Sequence, residues 1–172
     1  MSTFKKFKDQ TLAKVYSKVP ALLDLYAQRA DLVVNDAAPL APLPKPLRTS
    51  RVALVTTAGL HLAQQEPFDM TDKHGDPSYR EIPSSIGIGE LTITHDYFPK
   101  ADALADPNLV LPMDPLRQLA REGAIGSIAP RFFSFMGHIL GEHLKMLVRT
   151  TAPRVAALLK ADGVDAVFLT PV

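Results

Sequence analysis

Three residues, His61, His95 and Asp96, have side chains that could do chemistry together. An imidazole can gain or lose a proton near neutral pH, and a carboxylate can orient the ring or accept its proton. One hypothesis is therefore acid and base chemistry at a shared site, and metal-dependent hydrolysis at the same residues is a second. The alternative is that the two histidines are held by backbone hydrogen bonds and take no part in catalysis.

Three short apolar stretches predict the strands that would bring these residues together. "RVALVTTAG" is apolar on both faces, which is typical of a buried strand in a mainly parallel sheet, "ELTITHDYF" alternates apolar and polar residues, and "VDAVFL" is the closing strand. Open parallel sheets bind ligands beyond the carboxyl ends of their strands. If the three strands are parallel neighbours, these residues lie on one edge: Thr56, Thr57, His61, His95, Asp96, Thr170 and Pro171.

The helices of the predicted fold are marked by their end signals. In "MDPLRQLAREG", Asp114 can cap the amino end and Gly123 follows the last turn. "FMGHILGEHLKMLV" and "TTAPRVAALLKADG" predict two further helices, the second with Thr151 as its cap and Gly163 as its stop. Such helices combined with short apolar strands predict the α/β class, a mainly parallel open sheet covered by helices.

The chain divides into three parts by composition. Residues 1–34 carry apolar side chains mostly three and four positions apart, which predicts an amphipathic helical segment. Residues 35–50 contain four closely spaced prolines, which favour an extended strap. Residues 51–172 form the predicted α/β domain, and its polar stretch from 61 to 89 is longer than an ordinary loop, which favours a functional role.

The composition limits the classes of partner and of chemistry. The 172 residues carry a formal charge of +1, which offers no field for nucleic acid or anionic lipid. The sequence contains no apolar run of the roughly 18 residues that a membrane span needs and no secretory signal, so we expect a cytoplasmic protein. It has no cysteine, which excludes a disulfide, a thiolate zinc site or a cysteine nucleophile within these residues.

Two further groups of residues could serve the site or the fold. Glu66 and Asp69 could pair with Arg80 to fasten the long loop, or act as acid and base in a perturbed environment. Arg131 precedes an aromatic cluster, a pattern usual for core packing at a helix entrance, although its guanidinium could also bind a substrate carboxylate bidentately. Sequence alone leaves both alternatives open.

Three familiar motifs are not supported. His138 and His143 lie on either side of Glu142, but their spacing of five places them about 140° apart on a helix, so they cannot share one zinc ion. We therefore expect no metal. "GIGE" precedes a strand instead of following one and is no dinucleotide fingerprint, and Ser134 lacks the residues of a nucleophile elbow.

Several stretches, taken jointly, resemble a known family. They are "VALVTTAGLHLAQQEPFD", "GDPSYREIP", "LTITHD", "LPMDPLRQLAREGAIGSIAPRFFSFMG" and "GVDAVFLTP". Together they are similar to the selenoprotein B family of glycine, sarcosine, betaine and D-proline reductases, especially its short D-proline-reductase-like members. The resemblance covers Arg51 to Val172.

This resemblance implies reductive cleavage of a carbon–nitrogen bond in an amino acid or related amine, using a dithiol/disulfide couple. It implies a selenocysteine or cysteine nucleophile shortly after "VDAVFLTP", beyond Val172, followed by a helix whose amino end would lower the pKa of the nucleophile. No other bound cofactor is expected. The residues expected on the substrate side are Thr57, His61, His95 and Asp96, with Arg131 as a carboxylate anchor.

The same resemblance bears on partners and on the length of the protein. It implies other reductase subunits, including a pyruvoyl-bearing one, and it leaves room for a homo-oligomer. Because the selenocysteine codon also means stop, we hypothesise that Val172 marks a truncated reading of a longer selenoprotein, with a sheet incomplete at its carboxyl end. The alternative is a catalytically silent binding or scaffold subunit of the same fold.

Overall fold

The computed structural model describes residues 19, 21 and 41–172. The rest of the predicted helical segment 1–34, and the predicted strap up to residue 40, lie outside the described residues. Contacts divide the chain into two compact units, one of Met1–Pro42 with Asp96–Pro99 and the other of Leu43–His95 with Lys100–Val172. The strands and helices described below belong to the second unit.

Strand β1 lies at the centre of the main sheet. β1 (Arg51–Thr56) pairs in parallel with β7 (Ala166–Thr170) on one side and with β5 (Ser127–Ile128) and then β6 (Arg131–Ser134) on the other. β3 (Arg80–Pro83) runs antiparallel to β6. β1 buries side chains on both faces, as its apolar sequence requires. The predicted α/β class and mainly parallel sheet are therefore confirmed.

A separate two-stranded sheet is formed by β2 (Leu60–Leu62) and β4 (Leu91–Ile93), which run antiparallel. The stretch "ELTITHDYF" is therefore not a parallel neighbour of β1. The reason is Gly59, whose φ of 68° turns the chain after β1 and lets its carbonyl accept the Thr94 N–H at 3.0 Å. A Cβ at residue 59 would lie 2.6 Å from the Thr94 carbonyl oxygen, so this approach requires glycine.

Four α-helices belong to the same unit: α1 (Ala101–Ala105), α2 (Met113–Arg121), α3 (Gly141–Met146) and α4 (Ala152–Ala161). A π-helical turn at Leu147–Thr151 joins α3 to α4, and short 3-10 turns lie at Leu47–Thr49, Ile88–Glu90 and Pro107–Leu109. Gly123 and Gly163, with φ of 69° and 70°, follow α2 and α4 as the sequence predicts. In the part of the chain described, no helix is both long and apolar enough to cross a membrane.

Both predicted helix caps are wrong. α2 begins at Met113, so Asp114 lies inside the first turn, where its carboxylate accepts a hydrogen bond from Arg117 at 2.7 Å. Thr151 has helical backbone angles because the helix runs on through the π-helical turn, and its hydroxyl donates to the Leu147 carbonyl at 3.5 Å. Neither side chain is therefore available to cap an orphan amide.

The helix predicted over "FMGHILGEHLKMLV" is also too long at its amino end. It begins only at Gly141, because the preceding aromatic stretch belongs to β6 and its continuation. Phe132 and Phe133 are fully buried on opposite faces of that strand. Arg131 thus opens a buried strand and not a helix entrance.

β7 is an exposed edge of the main sheet, since among residues 41–172 it pairs only with β1. Phe168 is 55% exposed and Leu169 is 65% exposed, although both residues are apolar. An apolar groove of about 380 Å³ lies beside it, between β1, β7 and α2. β7 therefore contributes strand pairing more than core packing.

The core packing of β6 can be tested by truncating one of its aromatic side chains. Phe132→Ala empties a fully buried position, so we expect the free energy of unfolding to fall by about 3–5 kcal/mol. Phe168→Ala, on the exposed edge, is the matched control and should cost less than half as much. Urea unfolding followed by circular dichroism measures both, and equal losses would contradict the described core.

Asp165 joins the start of β7 to the strap and to β1. Its carboxylate pairs with Lys45 Nζ at 2.9 Å and accepts the Arg51 N–H at 2.7 Å. The hydrogen bonds from Lys45 and from the Arg51 amide lower the pKa of Asp165 below its usual value. Because the folded-state pKa is the lower one, the stabilisation is present above the unfolded-state pKa of about 3.9 and is lost as the pH falls through the folded-state pKa.

Asp165→Asn removes this acid-sensitive contribution. We expect the variant to be less stable than the wild type at pH 6 and to lose less stability on acidification below about pH 4, since asparagine does not titrate. Urea midpoints at several pH values provide the measurement. Asp102→Asn, at an exposed position in α1, is the control, and an acid response of Asp165→Asn identical to the wild type would refute the account.

Candidate functional site

The carboxyl ends of β1, β6 and β7 meet at one edge of the main sheet. Thr56 is in register with Ser134 of β6 on one side and with Thr170 of β7 on the other. Open parallel sheets bind their ligands at this edge because the connecting segments there are free to vary. The residues that follow these three strand ends therefore form the candidate site.

Thr57 ties the end of β1 to the end of β7. Its N–H donates to the Thr170 carbonyl at 3.2 Å, and its Oγ1 accepts the Val172 N–H at 2.9 Å. The Thr170 hydroxyl in turn donates to the Val110 carbonyl at 2.7 Å. These bonds hold the backbone beyond β7 in place at the edge.

His95 and Gly137 complete the arrangement, and we refer to Thr57, His95, Gly137 and Val172 as the edge cluster. The Gly137 N–H donates to His95 Nε2 at 3.2 Å. A Cβ on residue 137 would lie 2.8 Å from the Val172 carbonyl oxygen and 3.3 Å from both His95 Nε2 and the Thr57 carbonyl oxygen. Only glycine allows the four residues to come this close.

The tautomer of His95 follows from its contact with Gly137. A ring nitrogen that accepts an N–H is unprotonated, so the neutral ring carries its proton on Nδ1. The His95 side chain is 3% exposed. The Gly137 contact therefore requires an unprotonated Nε2.

His61 lies in β2, where both of its ring nitrogens are used. Nδ1 donates to the Leu62 carbonyl at 2.8 Å, and Nε2 lies 2.8 Å from Thr94 Oγ1. The ring meets Phe68 edge-on, with 6.4 Å between centroids, and the residue is 3% exposed. This is the geometry expected of a histidine that holds the small sheet together.

Asp96 is buried, with 8% of its surface exposed. It opens the segment Asp96–Pro99, which belongs to the other compact unit. The predicted grouping of Asp96 with the two histidines therefore stays a prediction.

Arg131 lies at the amino end of β6, and so at the opposite edge of the sheet from the edge cluster. Its guanidinium donates to both carboxylate oxygens of Asp162, at 2.7 and 3.0 Å, and to Glu81 at 2.8 Å. The hydrogen bonds to Asp162, and to a smaller extent the one to Glu81, raise the pKa of Arg131 above its usual value. The structure gives this arginine two internal carboxylates at a place remote from the expected nucleophile.

Arg80 organises the long loop mainly through backbone carbonyls. Its Nε donates to the Glu66 carbonyl at 2.7 Å, and its guanidinium carbon lies 4.3 Å from the centre of the Phe68 ring. The carboxylate facing it is that of Asp76, at 3.8 Å. Asp69 accepts from the Thr71 hydroxyl at 2.6 Å and from its N–H at 2.7 Å, which lowers the pKa of Asp69. The loop is thus fastened by Arg80 without the predicted Glu66 and Asp69 carboxylate pairing.

Two further histidines, His138 and His143, contact backbone carbonyls of the same loop. His138 Nε2 lies 3.1 Å from the Lys73 carbonyl, and His143 Nδ1 lies 2.8 Å from the Gly75 carbonyl. Within the described residues, no three His, Cys, Asp or Glu side chains are arranged to hold a metal ion. These contacts connect the loop to the segment that begins α3.

Gly137 is the site residue that sequence reasoning missed. It lies in "FMGHI", which the sequence assigns to a helix, whereas the structure places it in the segment after β6. The available signal was a glycine inside an otherwise bulky apolar run, which often marks a close backbone approach.

Comparison with known proteins identifies the family to which the chain belongs. Residues 25–172 match the family described as glycine/sarcosine/betaine reductase selenoprotein B, and the chain belongs to that family. The resemblance drawn from the sequence is therefore confirmed. No solved structure matches the chain.

Individual relatives narrow the comparison. The chain is 39% identical over 129 residues to the D-proline reductase subunit gamma of Acetoanaerobium sticklandii, which covers 75% of the chain and 51% of that relative. It is 32% identical over 111 residues to the sarcosine reductase complex component B subunit beta of Peptoclostridium acidaminophilum, covering 60% of the chain and 24% of the relative. It is 31% identical over 144 residues to the betaine reductase complex component B subunit beta of the same organism, covering 80% of the chain and 30% of that relative. The chain thus spans about half the length of the first relative and less of the others.

The close approach at Gly137 can be tested by adding one methyl group. Gly137→Ala places a Cβ 2.8 Å from the Val172 carbonyl oxygen, so we expect a loss of about 1–3 kcal/mol of stability and weaker protection of the Val172 amide. Gly89→Ala, where a Cβ would meet nothing within 4 Å, is the control. Calorimetry and amide hydrogen exchange measure the two effects. Identical unfolding temperatures for both variants would show that the strand ends do not converge as described.

Proposed function

We propose that this chain is a subunit of a reductase that cleaves a carbon–nitrogen bond in an amino acid or related amine of the glycine, sarcosine, betaine or D-proline type. The observation that carries the proposal is the edge cluster, in which a buried histidine meets the carboxyl ends of three strands. Membership of the selenoprotein B family supports the same reading.

The nucleophile in this proposal is a selenocysteine or cysteine that follows Val172 in the full-length protein. Val172 lies at the carboxyl edge, where its N–H donates to Thr57 and its carbonyl oxygen lies close to Gly137. A residue shortly after Val172 would therefore lie close to His95 in this proposal. The 172 residues include no cysteine. In this proposal the nucleophile attacks the carbon that bears the amine.

The proposed reaction balances with a dithiol as reductant. The nucleophile forms a bond to the carbon as the carbon–nitrogen bond breaks, and the nitrogen keeps the bonding pair and takes up a proton. One thiolate of a dithiol then attacks the selenium or sulfur, the carbon leaves with the bonding pair and takes up a proton, and the second thiol displaces the nucleophile. The two electrons come from a dithiol, which becomes a disulfide. His95 is proposed to hold a proton for the leaving nitrogen, since it is the titratable ring in the edge cluster.

Other subunits complete the proposal. The sarcosine and betaine relatives are named as subunits of component B of reductase complexes. We extend this to the present chain and expect further reductase subunits, including a pyruvoyl-bearing one that activates the amine. The substrate is then a small amine or amino acid.

A second candidate is a catalytically silent binding subunit. The lack of cysteine in the sequence and the exposed apolar edge at β7 favour it, because such an edge can contact another protein chain. Activity separates the two candidates only in the full-length protein, where a silent subunit would turn over no amine whether or not a dithiol is present.

The role of His95 is tested in the full-length reductase isolated from its native host. We expect His95→Gln to lower kcat by about 100-fold or more, because a positioned proton donor is lost. His61→Gln should lower the stability through its lost hydrogen bonds and leave kcat within a few-fold. Formation of the reduced product from glycine, sarcosine, betaine and D-proline, with a dithiol as donor, is the assay; D-proline keeps its nitrogen, because cleavage of the carbon–nitrogen bond only opens its ring. Unchanged kcat for His95→Gln would remove His95 from the mechanism.

A further inference from the structure

The long polar stretch from 61 to 89 packs one part of itself against the segment that contains Gly137. We refer to residues 73–76 as the loop tip and to residues 136–140 as the glycine segment. The Leu140 N–H donates to the His74 carbonyl at 2.8 Å, which joins the two backbones directly. The loop tip therefore contacts the glycine segment on the carboxyl side of Gly137.

Gly75 lies against the peptide group that follows Gly137. A Cβ at residue 75 would overlap the His138 carbonyl oxygen and lie 2.7 Å from the carbonyl carbon. Gly75 is buried, and its φ of 82° lies in the left-handed region. The two backbones can therefore approach this closely only with glycine at residue 75.

Met136 connects the loop tip to the amino side of Gly137. The Asp76 N–H donates to Met136 Sδ at 3.1 Å, and Met136 is fully buried. Met136 also forms an antiparallel bridge with Ala58, just after β1. Both chain neighbours of Gly137 are thus in contact with the loop tip, which leaves residue 137 little freedom to move.

Two histidine side chains of the neighbouring chain strengthen this contact. His143 Nδ1 lies 2.8 Å from the Gly75 carbonyl, and His138 Nε2 lies 3.1 Å from the Lys73 carbonyl. A carbonyl oxygen only accepts hydrogen bonds, so the ring nitrogen is the donor in both pairs. The loop tip is therefore held by side chains as well as by its backbone.

Aspartate side chains give the loop tip its own shape. The Asp72 carboxylate accepts the His74 N–H at 2.8 Å. The Asp76 carboxylate accepts the Ser78 N–H at 2.8 Å and the Asp69 N–H at 2.9 Å. Short hydrogen bonds of this kind fix a turn locally, so the loop tip presents a formed surface to the glycine segment.

We propose that the loop tip positions the edge cluster, with Gly75 and His143 as positioning residues that hold the Gly137 N–H against His95 Nε2. The inference rests on the proposed function, since it concerns the histidine of the same site. The Gly137 contact is 3.2 Å long, at the upper end of the ordinary range, so a small displacement of residue 137 breaks it. A group that transfers a proton must be held within a narrow range of geometry, and the loop tip supplies this restraint without touching the substrate.

The test is NMR spectroscopy of the 172-residue protein and two variants. Gly75→Ala forces the loop tip away from His138, and His143→Ala removes the donor to the Gly75 carbonyl. We expect hydrogen exchange of the Gly137 amide to become at least about tenfold faster in both. The nitrogen chemical shift of His95 Nε2 should move toward that of a ring nitrogen that accepts no hydrogen bond.

Two further variants serve as controls. Lys73→Ala changes an exposed residue of the loop tip whose carbonyl makes the contact, so both signals should stay as in the wild type. His143→Asn keeps a side-chain N–H close to the position of Nδ1 and should restore them. If Gly75→Ala does not fold, His143→Ala decides. Exchange at Gly137 and a His95 shift equal to those of Lys73→Ala would overturn the proposal.

Kinetics of the full-length reductase give the second measurement. We expect His143→Ala to lower kcat about tenfold and to leave KM within about twofold, because only the geometry of the proton transfer is disturbed. His143→Asn should recover most of the loss. An unchanged kcat in His143→Ala, although its Gly137 amide exchanges faster, would also overturn the positioning role.

Two outcomes separate this inference from the proposed function. If the full-length protein reduces an amine and His143→Ala changes neither kcat nor the two NMR signals, the positioning role is wrong and the proposed function stands. If the full-length protein reduces none of the four amines but both NMR signals change as expected, the reductase proposal falls and the hold of the loop tip on the edge cluster is supported.

Discussion

The close packing of Thr57, His95 and Val172 around Gly137 is the constraint on which the site depends. β1, β6 and β7 end in register, and the residues beyond them have room for each other only because residue 137 lacks a side chain. The same approach gives the Gly137 amide an acceptor in His95, which fixes the ring in one tautomer. A strand edge, a buried histidine and the backbone at Val172 are thereby held in one place.

Features that depend on local sequence could be predicted. β1 and β7 follow from short apolar runs, and the ends of α2 and α4 follow from Gly123 and Gly163, whose positive φ angles are set within one turn of the chain. The α/β class follows from these elements, and the family follows from motifs distributed over the domain. Thr57 was placed at the carboxyl edge because the edge rule for parallel strands needs only the end of β1.

Features that depend on distant partners were missed. The aromatic run after Arg131 has apolar residues suited to a helix or a strand, and only pairing with β1 and β3 makes it β6. His61 resembles a site residue in sequence, but its ring is satisfied by Leu62 and by Thr94 across the small sheet. Arg131 could have bound a substrate carboxylate, yet Asp162 and Glu81, far away in sequence, already occupy its guanidinium.

The central proposal is that the edge cluster serves a selenocysteine or cysteine nucleophile, which we propose follows Val172. The most direct measurement sequences the transcript beyond the Val172 codon and determines the mass and selenium content of the native protein. The account expects a TGA codon followed by an open frame, with a selenium-containing native mass above 18.7 kDa. Another stop codon, together with a native mass that matches 172 residues, would contradict it and leave the binding-subunit function in its place.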